Sequence, residues 1–190
     1  MGSPQRKIII GTLLGDACLE RNGKHVRLKI EHSAKQRIYI EWKYNHLRYL
    51  GGKITFRKRF DNRTSKYYES YTFRSHSRPE LEEFFELFYL GNIKQVPSQL
   101  PKIITPLTLA IWIMDDGYKR NDCNAIRLNT QSYSLEEHVI IQTALLSLGI
   151  QSQIQKHKDT FVTYIPSRSM DYLGNLVSNL LINEMRYKIA

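Results

Sequence analysis

The sequence predicts an α+β fold of two duplicated αββαββα units, with two central packed helices and a saddle of antiparallel β-sheets forming a groove. Three observations predict it: two short apolar helices that each end in an aspartate, an alternating strand after each helix, and a single shift that superimposes both features. Val26-Arg27-Leu28-Lys29-Ile30-Glu31-His32-Ser33 is echoed by Ile126-Arg127-Leu128-Asn129-Thr130-Gln131-Ser132, each position 100 residues on. Asp16 ends the apolar run Ile8–Leu14 and Asp116 ends Leu109–Met114, again 100 residues apart. Two independent features sharing one shift indicate a duplicated structural unit.

The apolar helices are expected over Arg6–Cys18 and Pro106–Tyr118, the second with proline at a natural first-turn position. Both are apolar nearly all round, so each must be buried on several sides, as packing against the other at the centre would achieve. Gly11, Gly15 and Ala110 allow close approach. In the following strand Val26, Leu28 and Ile30 face one way and Arg27, Lys29 and Glu31 the other, the pattern of a half-buried strand. A helix follows in each half, Ser33–Leu50 stopped by Gly51-Gly52 and Ser134–Leu148 stopped by Gly149, the latter opening with Ser134 and Glu137 at capping-box spacing. Hairpins are expected over Lys53–Phe60 with Tyr67–Ser75 and over Gln151–Lys158 with Thr160–Ile165. Closing amphipathic helices are expected over Pro79–Leu90 and Ser169–Ile182. Residues 1–92 form the first half and 106–190 the second. The stretch 93–105, holding Pro97 and Pro101 and few core-type clusters, is expected to be a linker.

Lysine and arginine number 28 against 18 acids, a net charge of +10 with a pI near 9.6, which implies a polyanionic partner, nucleic acid first. Hydrophobic residues at 42% and charged residues at 24% exclude a disordered chain or a disulfide scaffold. Cys18 and Cys123 lack metal or disulfide spacing and fit a reducing compartment. The apolar runs are too short to cross a bilayer and no signal peptide is evident, so a soluble protein without a membrane partner is expected. Met1-Gly2-Ser3 has the look of a cloning remnant, which leaves the natural start open.

An acid in the last turn of a helix opposes the macrodipole by a few tenths to about 1 kcal/mol. If the two apolar helices pack in parallel, Asp16 and Asp116 arrive at one end and repel each other as well. A divalent cation offsets both effects, and open oxygen ligands suit Mg²⁺. Metal-bound carboxylates beneath a basic sheet face suit in-line phosphodiester hydrolysis, one cut per strand for two equivalent centres. Asp115 is the neighbouring alternative, but a helix turns about 100° per residue, so one of the pair points at the partner helix end; the repeat selects Asp116.

At these residues the sequence resembles the LAGLIDADG homing endonucleases, in the single-chain, two-motif branch typified by the omega intron nuclease of yeast mitochondria. Ile9-Ile10-Gly11-Thr12-Leu13-Leu14-Gly15-Asp16-Ala17 fills the first motif and Leu109-Ala110-Ile111-Trp112-Ile113-Met114-Asp115-Asp116-Gly117 the second. Leu128-Asn129-Thr130-Gln131-Ser132 and the closing Met185-Arg186-Tyr187-Lys188 extend the likeness over essentially the whole chain. The sequence departs from the pattern at Ala17, where the motif ends in glycine, and at the bulky Ile111 and Trp112.

The resemblance implies a monomeric, site-specific endodeoxyribonuclease that breaks both strands of a long, rare, asymmetric duplex target and promotes intron homing. It implies Asp16 and Asp116 as catalytic metal ligands, with Gly15 and Asp115 beside them, and Mg²⁺ as cofactor, with Mn²⁺ or Ca²⁺ substituting for binding. It implies Lys94 and Lys188 next to the two centres, and Glu31 and Gln131 as polar groups near the metal water. Arg27, Lys29, Arg57, Arg59, Arg63, Lys66, Arg74, Arg127, Asn129, Gln153 and Lys156 are then the candidates for base-edge and phosphate contacts. An intron-encoded protein of this kind is expected in a mitochondrion or chloroplast, or otherwise in a prokaryotic cytoplasm. An RNA maturase that assists splicing of its own group I intron is the alternative. A repressor on the same scaffold is the third reading, against which the retained acids count.

Overall fold

The computed structural model describes residues 2–190; of the Met1-Gly2-Ser3 stretch, Met1 lies outside them. The first half runs α1 (Ser3–Leu14), β1 (Cys18–Asn22), β2 (His25–Ser33), α2 (Arg37–Leu47), β3 (Lys53–Asp61), β4 (Lys66–Arg74) and α3 (Glu82–Phe88). A short hairpin of β5 (Tyr89–Leu90) and β6 (Ile93–Lys94) and the one-turn α4 (Leu100–Ile103) lead on. The second half repeats the order with α5 (Pro106–Asp116), β7 (Gly117–Lys119), β8 (Ile126–Leu128), α6 (Leu135–Ser147), β9 (Gln153–His157), β10 (Thr160–Ile165) and α7 (Met170–Val177). The strands form two antiparallel four-stranded sheets of equivalent order, β1-β2-β4-β3 and β7-β8-β10-β9.

Local chemistry sets the boundaries, and several differ from expectation. α1 stops at Leu14, not Cys18, because Gly15 leaves helical dihedrals (φ −101°, ψ −127°) and Cys18 already pairs with Lys29 in the sheet. α5 stops at Asp116, since extended Gly117 starts β7. The strand expected over 126–132 ends at Leu128: the Thr130 N–H bonds back to the Leu128 carbonyl at 2.9 Å, which places Gln131 in a turn. The closing helices are shorter than expected, flanked by 3₁₀ turns at Pro79–Leu81, Ser167–Ser169 and Ser178–Leu180, and Tyr89–Leu90 pair as a strand instead. The helix predicted from Ser33 begins as a 3₁₀ turn and becomes α-helical at Arg37; Gly51 past its end adopts φ 73°, which favours glycine. Ser134 and Glu137 close the capping box at the start of α6. Within 93–105, Val96, Leu100 and Ile104 are buried in the core.

One hydrophobic core joins both halves around α1 and α5. Leu109 to Met114 are fully buried, as are Ile9 and Leu13; each leucine, isoleucine and methionine among them contributes about 1.5–3 kcal/mol of transfer free energy. Glycine sets the closeness of the pair. A Cβ added to Gly11 would lie 2.6 Å from the Thr108 carbonyl and 2.7 Å from Ile111 Cβ, and one on Gly15 would lie 2.5 Å from Asp115 Cβ. Gly11 thus meets Ile111 and Gly15 meets Asp115, the shift of 100 made physical: the helices are parallel and their aspartate ends coincide. The glycines supply the room that bulky Ile111 and the Asp115 side chain take up.

Candidate active site

Where the helix pair ends, the two halves contribute matching groups. Lys94 Nζ donates to the carbonyls of Gly15 (3.0 Å) and Ala17 (2.8 Å), the residues on either side of Asp16. Lys188 Nζ donates to the carbonyls of Asp115 (3.3 Å) and Gly117 (2.8 Å), on either side of Asp116. Each lysine therefore caps one helix C-terminus and places a cation where the dipole is negative. The dipole and like-charge penalties expected for the two aspartates are thus met in part by the chain's own lysines. Each ammonium has three protons and places two on carbonyls, so one remains for an anion.

The two acids are not electrostatically equal. Burial pushes the Asp16 carboxyl up, but His32, whose Nδ1 lies 3.3 Å from Asp16 Oδ2, outweighs that together with Lys43 and Lys188 and holds it below the usual carboxylate range. Burial, then the Asp16 and Asp115 charges, push Asp116 up to about 7, against a hydrogen bond of 3.2 Å from Trp112 Nε1 to its Oδ2. Burial also draws Lys94 below its ordinary value, against the attraction of Asp116.

Asp115 points the other way. Its carboxylate is fully buried between the helices, accepting from Lys43 Nζ (2.6 and 2.9 Å), Tyr39 Oη (2.7 Å), Thr12 Oγ1 (3.2 Å) and the backbone N–H of Asp16 (3.3 Å). With both oxygens occupied, its side chain is spent on holding the helices, and its carbonyl remains on the active-site side. Ligand atoms of Asp16, His32 and Asp115 do lie within 4.8 Å of one another. Lys43 on the Asp115 oxygens argues against a cation within that trio. The donors that could hold a hard divalent cation are instead the Asp16 and Asp116 carboxylates, neither of which accepts from a lysine; the Gly15 and Asp115 carbonyls beside them already accept from Lys94 and Lys188 and keep one lone pair each.

Of the strand positions singled out near the centres, Glu31 accepts from Ser70 Oγ (2.8 Å) and approaches Lys29 (3.8 Å) on the outer face of its sheet. Gln131 lies in the turn after β8. Neighbouring His32 is the β2 residue that reaches an aspartate. His32, Lys43, Tyr39 and Thr12 were missed by sequence reasoning, although two signals existed. His32 continues the inward alternation of Val26, Leu28 and Ile30, and Lys43 falls on the same buried α2 face as Tyr39, Ile40 and Leu47. A polar group at a core position of either pattern must find a partner.

Antiparallel register fixes the polar sheet faces. Lys29 pairs with Arg74 and Arg74 with Lys53, Arg27 with Glu20, Arg57 with Ser70, Arg59 with Tyr68, and Lys66 with Asp61. Directly paired residues share a face, so Arg27, Lys29, Arg57, Arg59, Lys66 and Arg74 all lie on one side, opposite Leu28, Ile30 and Phe73. Arg63 is exposed in the turn beyond. In the second sheet Arg127 pairs with Tyr118 and Tyr164, and Tyr164 with Gln153. Asn129 continues that alternation and is exposed, its N–H bonded to the Asp116 carbonyl at 3.1 Å. Lys156 is the exception: paired with Phe161, it falls on the opposite face from Gln153, because residues three apart on a strand point to opposite sides.

Among the described residues no helix is long and apolar enough to cross a membrane. Residues 6–173 match the LAGLIDADG DNA endonuclease family. The chain is 30% identical to DNA endonuclease I-ChuI of Chlamydomonas applanata, covering 98% of this chain and 94% of that protein. It is 29% identical to cytochrome b mRNA maturase bI2 of Saccharomyces cerevisiae, over 96% of this chain and 46% of the maturase. Among solved structures it superposes on the homing endonuclease I-WcaI bound to its DNA recognition sequence with a TM-score of 0.91 and 25% identity, covering 100% of this chain and 87% of that one. Its likeness to I-DmoI in complex with DNA and Mn, at a TM-score of 0.52 and 12% identity over 92% and 96% of the two chains, is one of fold alone.

Proposed function

Because the chain belongs to the LAGLIDADG DNA endonuclease family, we propose that it is a site-specific, Mg²⁺-dependent endonuclease that makes a double-strand break in a long, asymmetric duplex target and so promotes homing of its own intron. The observation that carries the reading is the coincidence of Asp16 and Asp116 at one end of a parallel helix pair, each bracketed by a lysine on its flanking carbonyls. A bound divalent cation supplies charge neutralisation for in-line displacement at phosphorus. The chain's own groups do the rest. Asp16 and Asp116, with the Gly15 and Asp115 carbonyls, would hold the cation. Lys94 and Lys188 each direct a remaining N–H at the scissile phosphate, where it stabilises developing negative charge. Arg27, Lys29, Arg57, Arg59, Arg63, Lys66 and Arg74 anchor and read one half of the target. Arg127, Asn129 and Gln153 read the other. Cleavage acts on one duplex at a time, as a monomer, in whichever organelle or prokaryotic cytoplasm houses the intron.

The similarity to an mRNA maturase favours a second activity, assistance in splicing the host intron, on the same basic surface. A labelled duplex spanning the uninterrupted exon junction, incubated with the protein and Mg²⁺, separates the two. Linear product cut on both strands is expected, and EDTA abolishes it. Uncut DNA alongside stimulated splicing of the precursor RNA would replace the nuclease reading with the maturase one.

A further inference from the structure

Beneath the first centre lies a chain of buried polar groups that no catalytic step uses. Lys43, fully buried on α2, places its three protons on the Asp115 carboxylate (2.6 and 2.9 Å), on Thr12 Oγ1 and on His32 Nε2 (3.1 Å). A lysine ammonium only donates, so Nε2 accepts and the imidazole proton sits on Nδ1. Tyr39 packs against this set, its ring 4.9 Å from the imidazole centroid and 4.4 Å from Lys43 Nζ. His32 is 3% exposed, and its Nδ1 has no hydrogen-bond partner among the described residues. It lies 3.3 Å from Asp16 Oδ2, long and off-axis, so a rotation of the half-exposed carboxylate closes the bond.

The second half has nothing equivalent. The residue 100 positions after His32 is Ser132, exposed in a turn, and the polar centre under that sheet holds no lysine–carboxylate pair: Thr130 Oγ1 lies against His138 Nε2 (2.9 Å) and Thr163 Oγ1 (3.3 Å). We infer that His32, locked by the Lys43–Asp115 pair, is a positioning residue for the Asp16 carboxylate, so that a motif residue of the second half orients the acid of the first and the two strands are cut by unequally supported centres. The groups facing His32 are Lys43 and Tyr39 from α2, Asp16 and Thr12 from the first motif, and Asp115 from α5. The inference rests on the nuclease reading for its consequence, but not for its geometry.

The test pairs strand-resolved cleavage with a spectroscopic readout. The exon-junction duplex, labelled separately on each strand, is cut by wild type, His32→Leu and His32→Asn, the asparagine placing an amide N–H near the Nδ1 position. His32→Leu should slow cutting of one strand at least tenfold, leave the other within about twofold and leave the DNA Kd unchanged, and His32→Asn should recover most of the loss. Equal slowing of both strands, or none, overturns the inference. In parallel, ¹⁵N-histidine NMR should show His32 as the Nδ1–H tautomer, lost in Lys43→Met and shifted in Asp16→Asn. An Nε2–H tautomer, or indifference to Lys43, overturns it as well. If the wild type cuts neither strand, the nuclease reading fails, while the tether still stands or falls on the NMR.

Discussion

In the first half the sheet strands run to five, nine, nine and nine residues, and the polar face they build carries Arg27, Lys29, Lys53, Arg57, Arg59, Lys66 and Arg74. In the second they run to three, three, five and six, and the corresponding face carries Arg127 among Tyr118, Gln153, Gln155 and Tyr164. Below the sheets the contrast continues, with a buried ion pair under the first and hydroxyls with a histidine under the second. Duplication has kept the element order and the paired aspartates while letting surface charge and buried polarity diverge. Basic side chains concentrate on the sheet face of one half and neutral hydrogen-bonding groups on that of the other, a difference that would suit the asymmetric target proposed above.

The buried pair offers the strongest way to break the comparison. Lys43→Met leaves the Asp115 carboxylate buried without its counter-ion, which should destabilise the protein by about 3–5 kcal/mol. Thr130→Val in the second half should cost about 1–2 kcal/mol, the loss of neutral hydrogen bonds. Chemical denaturation of both variants measures the difference. Equal losses would mean that the two polar centres are energetically alike, and the asymmetry argued for them would go.

Next in size is the sheet surface. Replacing Arg57 and Arg59 with alanine should weaken binding to the target duplex roughly tenfold to a hundredfold near physiological salt and lower the slope of log K against log salt by about 2. The paired Gln153→Ala and Gln155→Ala changes should leave that slope unchanged and reduce discrimination against mismatched duplexes. A titration of affinity against salt reads both, and an identical slope change in the two variants would erase the proposed division of labour.

The smallest effect separates the aspartates themselves. Asp116, raised to about 7 chiefly by burial, stays protonated in the folded chain over a range where the unfolded chain, near 3.8, has already ionised. Its proton is therefore released on unfolding, so its contribution declines as pH rises from about 4 to about 7 and is flat above. In EDTA, Asp116→Asn should raise Tm by about 5 °C at pH 8 and hardly at all at pH 4.5. Asp16, held below its usual range, gives the opposite sign: its contribution is present above its ordinary value and falls away in acid. Matching melting profiles for Asp16→Asn and Asp116→Asn across this range would contradict the electrostatic contrast.

The duplicated fold, the helix pair and the alternating faces of β2 were legible because their signals are local or periodic: apolar runs, alternation, a capping box, a repeat of constant offset. Helix ends were less so, since Gly15 and Gly117 stop the helices within motifs that look continuous in sequence. The bracketing lysines were legible through the resemblance, whereas the Lys43–His32–Asp115 chain was not. Its members are 72 residues or more from Asp115 in sequence and meet only when α2 docks on the helix pair. Lys156 shows a complementary miss: sequence reasoning groups it with Gln153 on one polar strand face, whereas strand parity puts the two on opposite sides.

The most direct test of the central claim, that paired aspartates from two helices serve one duplex, is cleavage by Asp16→Asn and Asp116→Asn prepared separately and assayed with Mg²⁺ on the exon-junction duplex. The account predicts that each variant binds the duplex with nearly wild-type affinity and makes no double-strand break. Undiminished double-strand cutting by either one would contradict it.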